Sequence, residues 1–231
     1  MKIATLPKSG HHLFLNITDF LKADRGLKIQ LDYIFMPNRP DFIDDDTPTI
    51  VTTRDPRSYL LSLLNWFNKQ TSAFLTGAMP AEEVPRYFEP DKAERWSRMT
   101  DDERLFALIY DTRSSLLVVP TRTSYDHIIA ARLKPNCYVT KFEDYAPGKS
   151  FEDLGAGAIE EYVRMFDHLG IEMTTNYARA MLEKAWGHSV TWSDTPNDAW
   201  KTRLSSSIQM VVIELYQDVL DAFGYPLEIQ N

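Results

Sequence analysis

A lysine, a serine and two histidines fall together near the N-terminus, between a strand pattern and a helix pattern. Pro7-Lys8-Ser9-Gly10 follows the candidate strand Lys2–Leu6, and the apolar spacing from His11 to Leu21 predicts a helix. A helix N-terminus presents unpaired N–H groups and a partial positive charge, and a turn of small residues lets the backbone approach an anion. Lys8 adds a positive charge and Ser9 a hydroxyl. The segment therefore predicts a phosphate-binding loop, with an ordinary strand-to-helix turn as the alternative.

A second strand-to-helix junction carries an arginine. Arg54 follows the candidate strand Thr49–Thr53, so it leaves the sheet at the carboxyl edge, where open α/β sheets bind their ligands. Ser62 lies two turns into the next helix on about the same face. A guanidinium and a hydroxyl that converge there suit a second phosphate. The alternative is a surface ion pair of Arg54 with Asp55 or Asp111.

Strand patterns and helix patterns alternate along the chain. The predicted strands are Lys2–Leu6, Lys28–Phe35, Thr49–Thr53 and Cys137–Phe142. The predicted helices cover 11–21, 101–117, 123–132, 158–169, 177–186 and 205–223, with one more that Asp55 caps and Pro56 begins. This order predicts an α/β fold with a central parallel β-sheet and helices on both of its faces. We expect a single P-loop-like domain over residues 1–231, in which residues 63–125 form an acceptor-site insertion of helices and loops.

Four segments together resemble the sulfotransferases that use 3′-phosphoadenylyl sulfate (PAPS). The 5′-phosphosulfate loop of that family, P-K-S-G-T-T-[WL], is matched by Pro7–Leu13. Its 3′-phosphate motif, R-[DN]-P-[RK]-D-x-x-x-S, is matched at Arg54–Arg57 and Ser62. Phe142-Glu143-Asp144 resembles its Y-E-D, and Trp200-Lys201 with a terminal helix that ends Phe223-Gly224-Tyr225-Pro226 resembles bacterial members.

The resemblance implies a cofactor, a reaction and a set of site residues. The cofactor is PAPS, the product is adenosine 3′,5′-bisphosphate (PAP), and no metal is needed. A sulfuryl group passes to a hydroxyl or amine of a small molecule, and the aromatic residues of 63–125 suit an apolar or aromatic acceptor. Lys8 would neutralise charge on the leaving oxygen. The expected cofactor contacts are Pro7, Lys8, Ser9, Gly10, His11, His12, Leu13, Arg54, Ser62, Phe142, Trp200, Lys201 and Arg203.

The chain departs from the family at the catalytic base. Residues 13–53, where the family has its catalytic histidine, contain none. His12 is the first candidate because the helix dipole favours its neutral, proton-accepting form. It stands where the family has a hydroxyl residue, so a hydrogen bond to phosphate is its alternative role. Asp32, Asp41 and His127 are the other candidates for the base.

A second departure affects the 3′-phosphate. The family has R-K-G-x-x-G-x-W-K before its tryptophan, whereas Ser193–Lys201 reads S-D-T-P-N-D-A-W-K. The Arg-Lys-Gly that holds the 3′-phosphate in animal cytosolic members is missing. Lys201 and Arg203 are the candidates to replace it.

The amino-acid composition indicates which binding partners and cell compartments to expect. The chain has 25 basic and 33 acidic residues, a net charge of −8, so its overall field repels nucleic acid and we expect no nucleic-acid partner. No apolar run approaches the roughly 20 residues that span a bilayer, so we expect no membrane span. The single cysteine, Cys137, excludes an internal disulfide and suits a reducing, cytoplasmic compartment. The sequence is compatible with a homodimer and does not decide the oligomeric state.

Two other functions remain as alternatives. One is a P-loop nucleotide kinase or NTPase, although Gly148-Lys149-Ser150 matches only the tail of the P-loop pattern and Glu143 stands at its first glycine. We therefore predict that 146–150 is a turn. The other is a non-catalytic nucleotide-binding protein on the same fold.

Overall fold

A computed structural model describes residues 1–6, 8–33, 45–79, 90–110, 121–148, 150–186 and 196–229. Four β-strands form in these ranges: β1 (Lys2–Thr5), β2 (Gln30–Tyr33), β3 (Thr49–Thr53) and β4 (Cys137–Lys141). The helices there are α1 (His11–Arg25), α2 (Pro56–Leu75), α3 (Pro90–Arg98), α4 (Asp101–Tyr110), α5 (Thr121–Arg132), α6 (Phe142–Tyr145), α7 (Ala156–His168), α8 (Thr175–Ala185), α9 (Trp200–Arg203), α10 (Ser206–Leu215) and α11 (Gln217–Phe223).

The four strands form one parallel sheet, which confirms the predicted α/β class. Their order is β2-β1-β3-β4, and Ile3 pairs with Ile50 in the register of the two central strands. Ile3 and Ile50 belong to the core cluster that α1, α7 and α8 complete. Their neighbours Ala4 and Val51 point to the opposite face and are also fully buried. Both faces of the sheet are therefore covered.

The strand order reverses direction between β1 and β3. From β1 the chain passes through α1 to β2 on one side, whereas β3 and then β4 lie on the other side. In open α/β sheets a crevice forms at such a reversal, outside the carboxyl ends of the strands, and ligands bind there. The segments that leave β1 and β3 are the two that the sequence singles out.

The chain groups into two compact units. The first contains Met1–Arg54 and Ser124–Asn197, and so holds the whole sheet with α1, α6, α7, α8 and most of α5. The second contains Asp55–Thr123 and Asp198–Asn231, with α2, α3, α4, α9, α10 and α11. The expected acceptor segment 63–125 falls almost entirely in the second unit, and its residues 80–89 and 111–120 lie outside the described ranges. The prediction of one domain over 1–231 stays a prediction.

The predicted start of α2 is confirmed. The Asp55 side chain accepts a hydrogen bond from the Arg57 N–H at 2.9 Å, and Pro56 is the first helical residue. The same carboxylate takes two more hydrogen bonds from the Arg57 guanidinium, at 2.9 and 2.7 Å. Arg57 is fully buried and its guanidinium stacks 3.7 Å above the Trp200 ring. These contacts tie α9 to the first turn of α2.

Several predicted bounds differ from the structure, and some of its helices are not predicted. β4 ends at Lys141, and Phe142 begins the short helix α6. The predicted terminal helix 205–223 is two helices, because Tyr216 leaves helical geometry (φ −118°, ψ 19°) while its buried hydroxyl bonds Thr121 Oγ1 at 2.5 Å. Helix α3 has no counterpart among the predicted helices, although proline, its initial residue, is common at the first helical position.

No helix in the described part of the chain combines the length and the apolar character needed to cross a bilayer.

Candidate functional site

The loop after β1 is a tight turn with an unusual backbone at Lys8. The Ser9 N–H donates to the Leu6 carbonyl at 3.1 Å and closes a four-residue turn. Lys8, its third residue, has φ 61° and is the only non-glycine with positive φ among the described residues. That conformation costs a non-glycine residue roughly 1–2 kcal/mol, and such strain concentrates at functional sites.

The side chains of Arg54 and Tyr145 donate hydrogen bonds to carbonyl groups of the loop. Arg54, directly after β3, donates from Nη1 to the Lys8 carbonyl at 2.7 Å. Tyr145, in α6, donates from its hydroxyl to the Ser9 carbonyl at 2.6 Å. The N–H of Gly10 points the opposite way from the Ser9 carbonyl, because the two share one trans peptide group. The loop therefore turns the Gly10 N–H away from Tyr145.

Gly10 is required by its surroundings as well as by its backbone. Its φ is 79°, which favours glycine, and a Cβ atom there would lie 2.9 Å from the Tyr145 hydroxyl. Any larger residue would displace the hydrogen bond from Tyr145 to Ser9.

The start of α1 lacks the usual features that neutralise a helix N-terminus. Gly10, its N-cap, makes no side-chain capping bond, and its first turn contains no acidic residue. The Ser9 Oγ is fully buried and has no hydrogen-bond partner among the described residues. A buried hydroxyl without a partner is unusual in a folded protein. An anion at the helix start would supply an acceptor for the N–H groups and for the serine hydroxyl.

The two histidines of this helix start are held in the neutral form. Burial, and next the charge of Lys8, lower the pKa of His12 below its ordinary value. Burial, followed by the charge of His12, lowers the pKa of His11 to about 4, and Asp32 opposes this effect. Both imidazoles are therefore neutral at pH 7, as the sequence predicts for His12.

His11 is fixed by the end of β1. Its Nδ1 lies 2.7 Å from the Thr5 Oγ1, and that hydroxyl donates to the Asp32 main-chain carbonyl at 3.4 Å. Because a hydroxyl has one proton, Thr5 then accepts from the His11 Nδ1–H. This arrangement leaves the lone pair of the neutral ring on Nε2.

The other candidates for the base lie in different places. Asp32 is on β2 beside the end of β1 and close enough to His11 to affect its charge. His127 lies in α5. Asp41 lies outside the described residues, as does Pro7 of the loop.

Arg54 and Phe142 lie together in the first unit. The Arg54 guanidinium is 4.6 Å above the Phe142 ring, and its Nη2 donates to the Asn197 Oδ1 at 3.1 Å. Only 5% of Arg54 is exposed. Of the expected cofactor residues, the structure thus brings together Lys8, Ser9, Gly10, Arg54 and Phe142, with His11 and His12 in the first turn of α1. Leu13 follows them and packs in the core.

The remaining expected cofactor residues lie in the second unit. Ser62 is buried on α2, with 4% of it exposed. Arg203 donates to the Asn65 Oδ1 at 3.1 Å, so it reaches α2 one turn beyond Ser62. Trp200 is covered by the Arg57 guanidinium, and the exposed Lys201 lies 3.8 Å from Asp198.

The rival phosphate loop is irregular chain in its described part. Ala146, Gly148 and Ser150 precede a single 3-10 turn, Phe151–Asp153, rather than an α-helix, and Lys149 lies outside the described residues. Ser150 and Asp153 cap that short turn. No group of three or more metal-ligating side chains occurs in the part of the chain that the structure describes.

Sequence reasoning missed three residues that shape the loop. Thr5, Tyr145 and Asn197 contact His11, the Ser9 carbonyl and Arg54 respectively. The position of Thr5 at the end of a predicted strand was the available signal, since parallel strands end at one edge. Tyr145 and Asn197 are distant in sequence from the groups that they hold, and no local pattern marks them.

No protein-family model, no curated protein and no solved structure matches the chain.

Proposed function

We propose that this protein is a sulfotransferase that moves a sulfuryl group from PAPS to a hydroxyl or amine of an apolar or aromatic small molecule. The observation that carries the proposal is the loop of residues 8–12 at the reversal of strand order. It combines a lysine, a buried serine hydroxyl with no hydrogen-bond partner in the described ranges, and a helix start without a side-chain cap. Each of these favours a phosphate or phosphosulfate group.

The residues of the loop fit the 5′-phosphosulfate end of PAPS. The Ser9 hydroxyl and the first N–H groups of α1 would donate to its oxygens, and Lys8 would supply the balancing charge. In the reaction a bond forms between the acceptor oxygen or nitrogen and sulfur. The bond between sulfur and the 5′-phosphate oxygen breaks, and that oxygen keeps the electron pair. Lys8 stabilises the charge that collects there.

His12 accepts the proton that the acceptor loses. Its neutral imidazole is the form that can act as a base at pH 7, and burial beside Lys8 favours that form. The proton balance then closes, because the acceptor proton ends on His12 and the sulfuryl group on the acceptor. The residues 63–125 supply the acceptor site in this proposal, with their aromatic side chains as its walls.

Two alternatives would use the same fold differently. A nucleotide kinase would bind Mg²⁺ with ATP through a complete P-loop, and the incomplete pattern at Gly148-Lys149-Ser150 argues against that reading. A non-catalytic nucleotide-binding protein would bind PAP without transferring sulfate. Nucleotide binding distinguishes the kinase from the proposed sulfotransferase. Transfer of sulfate distinguishes the non-catalytic protein from it.

Transfer is tested with PAPS carrying labelled sulfate and a panel of phenols, alkyl alcohols and aryl amines. We expect a labelled acceptor and an equal amount of PAP, both dependent on the protein. The Lys8→Ala variant is the negative control, and Arg164→Ala, a partly exposed arginine of α7 that pairs with Glu161, is the matched control. PAP binding without labelled product from any acceptor class would favour the non-catalytic alternative.

A further inference from the structure

We propose that Arg54 is a positioning residue, which acts through the main chain of Lys8 and does not bind the 3′-phosphate of the cofactor. This inference rests on the proposed function. The resemblance implies a direct contact between Arg54 and the cofactor, so the proposal assigns the residue a different role in the same site.

The first support is where the guanidinium donates. Its Nη1 reaches the Lys8 carbonyl at 2.7 Å and its Nη2 the Asn197 Oδ1 at 3.1 Å. Both terminal nitrogens thus already donate to protein oxygens. A bidentate contact between arginine and phosphate uses two parallel N–H groups of the same fork. A phosphate that took this geometry would compete with the contacts that hold the loop.

The second support is that Arg54 is itself held from several directions. The Asn197 amide also donates to the Ala146 carbonyl at 3.2 Å, which fixes the orientation of its Oδ1 toward Arg54. The Phe142 ring lies against the guanidinium, and the Tyr125 hydroxyl donates to the Arg54 carbonyl at 2.7 Å. With 5% of the residue exposed, the side chain is a packed part of the first unit.

The third support is the backbone that Arg54 contacts. Lys8 has φ 61°, and a residue other than glycine keeps such a conformation only where its surroundings impose it. The charged hydrogen bond from Arg54 to the Lys8 carbonyl is such a constraint. The conformation of this residue decides where the lysine ammonium points. Arg54 therefore controls the position of the charge that the leaving phosphate oxygen needs.

The proposal predicts which ligands an Arg54 variant will lose. PAP and adenosine 5′-phosphosulfate share the 5′-phosphate, and only PAP carries the 3′-phosphate. If Arg54 positions the 5′-phosphate loop, Arg54→Ala weakens both ligands by a similar factor, about tenfold. If it binds the 3′-phosphate, the variant weakens PAP alone.

The experiment measures the affinity of both ligands for the full chain by calorimetry, in wild type, Arg54→Ala, Arg54→Lys and Asn197→Ala. Hydrogen exchange of the loop amides accompanies it without ligand. We expect the ratio of the two affinities to stay within about twofold of wild type, and exchange of the loop amides to become faster. Arg54→Lys should recover little of the lost affinity for either ligand, because a single ammonium cannot reach both the Lys8 carbonyl and the Asn197 Oδ1. Asn197→Ala should weaken both ligands and speed exchange of the loop amides in the same way, but by less. If the Arg54 variants do not fold, this variant tests the proposal in their place.

The outcomes separate this proposal from the function on which it rests. Loss of PAP affinity alone, with unchanged exchange of the loop amides, would overturn the positioning role and leave the proposed function standing. If wild type binds neither ligand, the proposed function fails, and the exchange comparison still decides whether Arg54 orders the loop.

Discussion

Lys8 combines the positive charge of the site with a backbone conformation that lysine rarely adopts. Glycine would adopt that conformation without strain, but it would lack the charge. A lysine at this position therefore lowers the stability of the fold and supplies a positive charge to the candidate site.

Two substitutions at Lys8 separate charge from strain. Lys8→Gly should raise the free energy of unfolding by about 1 kcal/mol because it relieves the left-handed backbone. Lys8→Ala keeps the strain and should bring no such gain. Both variants lack the ammonium, so both should lower turnover by about 10²- to 10³-fold, and PAP affinity should fall less. Urea unfolding and transfer assays measure the two effects. A Lys8→Ala variant with full activity would remove Lys8 from the mechanism.

His12 has two possible roles that one substitution distinguishes. If it is the base, His12→Thr should lower turnover by about 10²-fold or more and abolish the acidic limb of the pH–rate profile, with PAP affinity nearly unchanged. The sulfotransferase family that the chain resembles has threonine at this position. The substitution would therefore restore a hydroxyl that can donate a hydrogen bond to phosphate. A His12→Thr enzyme with near wild-type turnover would therefore show that His12 binds phosphate, and the base would have to be sought at Asp32, Asp41 or His127.

His11 links the loop to acid sensitivity. Its pKa is lowered to about 4 in the folded chain, so between that pH and its ordinary 6.5 the unfolded chain binds more protons. The contribution of His11 to stability is thus complete above pH 6.5 and is lost as the pH falls toward 4. His11→Asn keeps a polar atom near the Thr5 hydroxyl but does not titrate. We expect the variant to lose less stability than wild type between pH 7.5 and pH 5, as measured by urea unfolding at both values. An identical loss in the two proteins would contradict the burial of a neutral His11.

Among the elements, α2 carries an expected cofactor residue that the structure places in the second unit. The resemblance assigns Ser62 to the 3′-phosphate, and Ser58, one turn earlier on the same helix, is buried to the same degree. Ser62→Ala should weaken PAP binding by about ten- to a hundredfold and leave binding of adenosine 5′-phosphosulfate unchanged, since a lost hydrogen bond to a charged group costs about 1.5–3 kcal/mol. Ser58→Ala is the matched control and should preserve the ratio of the two affinities. If both variants change that ratio equally, Ser62 has no specific contact with the 3′-phosphate.

The elements also show what the sequence could reveal. Residues Thr49–Thr53 form a strand with the predicted bounds, and Asp55 caps α2 as expected, because a run of β-branched residues and a capping aspartate are local signals. Tyr216 is different. Its spacing fits a continuous helix, and its departure from helical geometry accompanies a hydrogen bond to Thr121, which is remote in sequence.

In the candidate site, too, some features could be predicted from local sequence and others could not. The strand, the glycine turn and the helix start around Lys8 are local features, so the sequence predicted a phosphate loop there. The contacts of Tyr145 with Ser9 and of Asn197 with Arg54 join residues more than a hundred positions apart. Such contacts depend on how the strands are ordered in the sheet, which no single segment encodes.

For the whole molecule, the charge distribution limits how an anionic cofactor is captured. The net charge of −8 would repel an anion such as PAPS at long range, so the proposed binding requires short-range contacts at the loop. The described part of the chain offers such a place at the start of α1, where Lys8, the first N–H groups of the helix and the Ser9 hydroxyl lie together.

The central claim is that this place binds the PAPS-type nucleotide, and the thermal midpoint of the full chain with PAP tests it most directly. A ligand at 100 times its Kd stabilises the folded state by about 2.7 kcal/mol, which for a chain of this size corresponds to a rise of roughly 5–10 °C. We predict that rise with PAP, and a much smaller one with ATP or ADP in the presence of Mg²⁺. A midpoint that rises with ATP and Mg²⁺ but stays constant with PAP would contradict the account and favour the nucleotide kinase.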